Sequence, residues 1–243
     1  MRAIALAATA AIATAGTVLA VSVLPADAAT TPGIDVSHHQ GTINWTSVKS
    51  AGIQFAYIKA TEGTSYLDPK FDTNYIGATK ANVIRGAYHF ALPNRSSGAT
   101  QADFVYKNGG AWSADNRTLP AAVDLEYNPY GATCYGLTQS QMRSWISDFL
   151  NRYHSRTGRY AVIYTTTHWW KTCTGNYSGF ASKHPLWIAR YASSVGTLPS
   201  GSSFYSFWQY TASGSVSGIS GSVDRNYWNG TRTRLLALAN NTA

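Results

Sequence analysis

The chain is poor in acid. Of its 243 residues, 11 are Asp or Glu against 19 Lys or Arg, which leaves a formal net charge of +8. Only two glutamates occur, Glu62 and Glu126. Charge of either sign is scarce, 12 % of residues, and no Lys/Arg run appears, which argues against a clustered nucleic-acid patch. Diffuse positive charge suits a different kind of anionic polymer. Cysteine is nearly absent: Cys134 and Cys173 alone cannot build a thiolate zinc site. The six histidines show no H-E-x-x-H or other ligand spacing, so neither a metal nor a cofactor is expected.

The long apolar run is confined to one end. Arg2 is followed by an apolar, Ala-rich stretch from Ala3 to about Leu24, and Ala26-Asp27-Ala28 matches a small-residue cleavage site. Residues 1–28 therefore read as a secretory signal peptide and 29–243 as one exported catalytic domain, extracellular and not membrane-bound after cleavage. No later stretch is apolar enough to span a bilayer. In an exported chain, Cys134 and Cys173 are expected to form one disulfide. A monomer is the default expectation.

Strand-like apolar segments recur through the rest. They are Gly33–Val36, Phe55–Lys59, Gly86–Phe90, Ala121–Leu125, Ala161–Tyr164, Leu186–Ala189, Phe204–Trp208 and Gly221–Asp224. Helix signals lie between them. Asp68-Pro69 offers an N-cap and a first-turn proline for a helix to about Ala81. Ser96 or Ser97 caps a helix through Val105. Thr138 with Gln141 forms a capping box for a helix that places Met142, Trp145, Ile146, Phe149 and Tyr153 on one face and ends at Gly158. The spacers 192–203 and 211–220 are poor helix formers. The pattern predicts an α/β fold, a modified (β/α)8 TIM-like barrel, flattened or incomplete, with few helices.

Barrel enzymes carry their reactive groups at the carboxyl ends of strands. In this chain those ends collect acid: Asp35, Asp124, Glu126 and Asp224, with Glu62 nearby. Asp124 and Glu126 share one strand face, with Cα atoms roughly 6.6 Å apart at about 3.3 Å rise per residue. Paired carboxylates at this range suit acid/base cleavage of a sugar–sugar bond. Clustering raises each pKa, which equips one carboxyl as a general acid near neutral pH. Aromatic and polar groups at the same ends, namely Tyr88, His89, Tyr127, Tyr164, Tyr191, Trp208 and Gln209, with Glu62, are the candidate substrate-binding set. Trp145, Trp169 and Trp170 are read as part of the helical layer. Asp68, Asp103, Asp115 and Asp148 are read as caps or solvated residues.

The segments Gly33-Ile-Asp-Val-Ser-His38, Phe55-Ala-Tyr-Ile-Lys-Ala-Thr-Glu-Gly63, Arg85-Gly-Ala-Tyr-His-Phe90, Asp124-x-Glu126 and Val223-Asp224 resemble, in order, glycoside hydrolase family 25, the Ch-type lysozymes. The resemblance implies a barrel of eight strands with few helices. It implies hydrolysis of the β-1,4 bond between N-acetylmuramic acid and N-acetylglucosamine in bacterial peptidoglycan. It also implies Glu126 as proton donor, with Asp124, Asp35 and Asp224 completing the acidic cluster. Whether the reaction retains, inverts or uses the substrate's acetamido group stays open. Two rivals are a chitinase-like glycosidase and a non-catalytic polysaccharide-binding barrel. Pro120-Ala-Ala-Val-Asp-Leu-Glu126 lacks the earlier aspartates of the chitinase D-x-x-D-x-D-x-E pattern, and the intact acids argue against a dead barrel.

Overall fold

A computed structural model describes residues 30–242. The expected signal peptide, 1–28, lies outside the described residues. Nine strands form one sheet: β1 (Thr31–Val36), β2 (Phe55–Glu62), β3 (Tyr66–Leu67), β4 (Ile84–Phe90), β5 (Ala122–Asp124), β6 (Val162–Thr165), β7 (Leu186–Ala189), β8 (Phe207–Gly214) and β9 (Val223–Trp228). The order is β1-β9-β8-β7-β6-β5-β4-β2-β3, and an additional β1–β2 pairing closes eight of them into a barrel. β3 is a two-residue ribbon folded back on the end of β2. Apart from β3, which is antiparallel to β2, the neighbours from β1 through β8 run parallel, whereas β9 is antiparallel to both β8 and β1. The barrel is thus closed rather than incomplete. What is incomplete is its helical coat.

Six α-helices accompany the strands: α1 (Trp45–Ser50), α2 (Phe71–Lys80), α3 (Gly98–Val105), α4 (Gln139–Thr157), α5 (Thr167–Thr174) and α6 (Arg232–Asn240). The capping box of α4 is present, and Gly158 ends the helix at φ 68°. Ser97 caps α3 and Thr166 caps α5. α2 starts later than expected, with Lys70 at its N-cap. Asp68 is not a helix cap: it is buried, and its Oδ2 accepts the His38 backbone N–H at 3.0 Å. No helix separates β7, β8 and β9, as the Ser/Gly-rich spacers predicted. β8 begins three residues later than the expected Phe204 and extends to Gly214, and α1 and α6 were not foreseen.

Two apolar layers line the outside of the strands. Ile34, Val36, Ala56 and Ile58 pack with Trp45 and Val48 of α1 and Ala78 of α2. Ala87, Val123 and Ile163 pack against Met142, Ile146, Phe149 and Tyr153 of α4 and Trp169, Trp170 and Cys173 of α5. Inside the barrel, Phe55, Tyr57, Trp187, Phe207 and Trp228 fill the space, and Leu235 and Ala239 of α6 cluster with them. Rings this large need small neighbours. A Cβ at Gly33 would stand 2.3 Å from Phe55, and one at Gly86 would stand 2.5 Å from Tyr57, so only glycine fits at either place. The Cys134–Cys173 disulfide ties the loop after β5 to α5.

Candidate active site

Strand alternation decides which side chains reach the barrel mouth. On β1, Gly33 and Asp35 face inward while Ile34 and Val36 face the helices. On β5, Asp124 faces inward, and the same parity carries Glu126 to the same side just beyond the strand end. Tyr88 of β4, Tyr164 of β6, Trp187 of β7 and Gln209 of β8 follow the rule. β9 enters in the opposite direction, so Asp224 near its start sits at the carboxyl ends of the parallel strands, paired directly with Asp35. These residues, with Tyr191 and Ala212, line one cavity of ≈ 230 Å³.

The four acids are held in two pairs. Asp35 is 6 % exposed and accepts hydrogen bonds from Gln209 Nε2 (3.2 and 3.0 Å) and Asn226 Nδ2 (2.7 Å). Asn226 is oriented by Trp187, whose Nε1 donates to its Oδ1 at 2.8 Å. Gln209 is oriented by two phenols: Tyr164 donates to its Oε1 at 2.8 Å and Tyr191 at 3.0 Å. Burial, then the charge of Asp224, pushes Asp35 well above the ordinary carboxylate range. Burial also raises Asp224, partly offset by its hydrogen bond with Asp35.

The second pair is Asp124 and Glu126, whose carboxyls stand within hydrogen-bonding reach of each other. Asp124 Oδ1 is buried and has no other partner among the described residues. Burial, then the charge of Glu126, raises Asp124. Glu126 is pushed up to about 7 by burial; its hydrogen bond with Asp124 lowers it and the charge of Asp224 raises it. Lys59 on the inner face of β2 opposes the rise in both. Two carboxyls in contact cannot both ionise cheaply, so each pair holds its first proton more tightly than a lone carboxyl does, and the titration belongs to the pair. Glu126, the less enclosed member of its pair, is placed to pass that proton to a bound molecule.

The family model described as glycosyl hydrolases family 25 matches residues 34–219. The chain belongs to glycoside hydrolase family 25. It is 61 % identical over 219 residues to Lysozyme M1 of Streptomyces globisporus, covering 90 % of this chain and 74 % of that protein. It is 46 % identical over 203 residues to the N,O-diacetylmuramidase of a Chalaropsis species, covering 80 % of this chain and 96 % of that one. The bacterial lysozyme of Streptomyces coelicolor has the same fold, with a TM-score of 0.87 at 61 % identity, over 89 % of this chain and 100 % of that chain. The chain is accordingly a glycoside hydrolase.

Within this family 25 barrel, the candidate residues fall into three groups. Asp35, Asp124, Glu126, Asp224, Tyr88, Tyr164, Tyr191 and Gln209 line the cavity together. Glu62 and Tyr127 sit beside it. Glu62 is fixed by Lys59 Nζ at 2.7 Å and by Tyr130, whose hydroxyl donates at 2.6 Å, and it lines a neighbouring pocket of ≈ 410 Å³ with Arg95 and Tyr130. Burial pushes Glu62 up, but Lys59 and Tyr130 outweigh it and hold it below its ordinary value. Tyr127 is exposed, with its hydroxyl 3.1 Å from His168 Nδ1.

His89 and Trp208 are corrections. Each is adjacent in sequence to a residue of the cavity, Tyr88 and Gln209, and adjacent strand residues face opposite sides. His89 is 0 % exposed, between Thr61 Oγ1 (2.7 Å) and Gln101 Oε1 (2.9 Å). Burial lowers it to about 4, so it is neutral and packs against the helical layer. Trp208 faces outward and donates to the Arg190 carbonyl at 2.8 Å. Asn226, the donor to Asp35, was missed; it shares the inward face of β9 with Asp224, two residues on, and that spacing was available in the sequence.

Proposed function

We propose that Glu126 is the proton donor of a muramidase that cleaves the β-1,4 bond between N-acetylmuramic acid and N-acetylglucosamine in bacterial peptidoglycan. The activity is that of a lysozyme. Family membership and the lysozyme and N,O-diacetylmuramidase relatives support it. One observation supports the assignment of the donor: Glu126 is the less enclosed carboxyl of the Asp124 pair, lines the cavity and is pushed up to about 7 by burial. A carboxyl poised near the working pH is an efficient general acid.

Glu126 gives its proton to the departing glycosidic oxygen as the bond from the sugar's anomeric carbon breaks. Asp124, deeper in the cavity, holds the N–H of the substrate's 2-acetamido group. The acetamido carbonyl oxygen then bonds to the anomeric carbon, forming a cyclic oxazolinium. Water opens that ring while Glu126, now a carboxylate, takes the water's proton. Asp35 and Asp224 line the same cavity, where carboxylate charge stabilises the developing cation. NMR of the first product tests the route: retained β configuration is expected, and a purely inverted product excludes acetamido participation. Purified sacculi test the donor: the parent solubilises them and Glu126→Gln is expected to be slower by roughly 10²–10⁴-fold.

Export fits the same reading. Residues 1–28 act as a cleaved signal and 29–243 as one catalytic barrel. The disulfide supports an oxidising destination. The net charge of +8 favours approach to an anionic wall.

A further inference from the structure

The outer faces of β1, β2, β4, β5 and β6 carry apolar side chains packed against α1–α5. β8 and β9 differ. No helix intervenes there in the chain, and beyond the buried Val223 their outward residues include Trp208, Tyr210, Arg225 and Tyr227, none of them fully buried. The three rings form one cluster: Tyr210 stacks on Tyr227 at 4.5 Å and 12°, while Trp208 lies 5.9 Å from Tyr210 and 6.3 Å from Tyr227. The indole is fixed by its hydrogen bond to Arg190, the residue before Tyr191 of the cavity. Arg225 lies over Tyr210 at 5.8 Å, and its buried Nε has no hydrogen-bond partner among the described residues. No carboxylate pairs with it among the described ion pairs.

A fixed, half-buried aromatic platform with an unpaired guanidinium at its edge matches the chemistry of a glycan strand bearing acidic side groups. Aromatic faces take the C–H faces of pyranose rings, and Arg225 takes a carboxylate. One strand serves both surfaces: β8 offers Gln209 to the cavity and Trp208 and Tyr210 to the outside. We propose that the outer face of β8 and β9 is a second carbohydrate-binding surface that holds a peptidoglycan glycan strand outside the cleft. The choice of glycan rests on the muramidase reading above.

The test is co-sedimentation with purified sacculi, in a Glu126→Gln background so that the wall is not consumed. Tyr210→Ala/Tyr227→Ala and, separately, Arg225→Gln are expected to bind sacculi at least fivefold more weakly, and less of the difference should remain in high salt for Arg225→Gln. With Glu126 intact, both should turn over soluble glycan fragments at the parental rate, which also shows that they are folded. Unchanged sacculus affinity in both variants overturns the proposal. So does a parallel loss of soluble turnover in both, which would make the face a support for the cleft. A parent dimer that these changes dissociate assigns the face to a second copy and overturns it too. Weakened sacculus binding in a chain that cuts no wall would leave this surface standing and remove the muramidase reading instead.

Discussion

The catalytic activity turns on single carboxyls crowded into one cavity. Replacing Glu126 by Gln removes a buried charge as well as the proton donor. The variant is therefore expected to be almost inactive yet more stable than the parent at pH 8, by about 1–3 kcal/mol, since each pKa unit corresponds to about 1.4 kcal/mol. Denaturant melts at pH 8 check this. Wall lysis by the parent should decline as pH rises through about 7, where Glu126 loses its proton. Asn226→Ala removes a 2.7 Å donor that favours the charged form of Asp35. It is expected to cost roughly tenfold or more in turnover and to leave the fold intact, as circular dichroism would show. At this scale the sequence was most legible where acid is rare. In a chain with two glutamates, Glu126 beside Asp124 stood out. Asn226 did not, because an amide on a strand has many structural uses.

At the scale of elements, periodicity and capping chemistry were readable and strand ends were not. The Thr138/Gln141 box and Gly158 bracket α4 as written, because both signals are local hydrogen-bond chemistry. Thr138→Ala is expected to cost about 1 kcal/mol and a few degrees in melting temperature, with unchanged wall lysis. The period of two along a strand was legible for Asp124 and Glu126, and it also ruled out taking both Tyr88 and His89, or both Trp208 and Gln209. β9 was located, but its reversed direction was not legible: Val223-Asp224 reads identically in either direction, and only pairing with β1 and β8 decides it. α2 starts at Phe71, after Asp68 has split its carboxylate between His38 through Oδ2 and the Lys70 backbone N–H through Oδ1.

For the whole molecule, opposite pKa shifts set an optimum. The cavity acids Asp35, Asp124, Glu126 and Asp224 are raised, so their contribution is fully present below the ordinary carboxylate range and is lost as pH rises through the folded values, about 7 for Glu126. Asp115, beside Arg85, and Asp103, hydrogen-bonded to Arg152 and Arg156, are held low, so theirs is present above that range and lost on acidification. Thermal stability is expected to be greatest at about pH 4, in the ordinary carboxylate range where the two contributions cross, and to fall by pH 8, with a smaller alkaline fall in Glu126→Gln. A melting temperature that climbs steadily to pH 8 would contradict this balance. The closed barrel brings together carboxyls from β1, β5 and β9, which is why a site spread from residue 35 to residue 224 is one cavity. The most direct test of that convergence is the identity of the new reducing ends in digested sacculi, read by mass spectrometry. The account predicts ends on muramic acid from the parent and almost none from Glu126→Gln. Ends on glucosamine, or equal release by the variant, would contradict it.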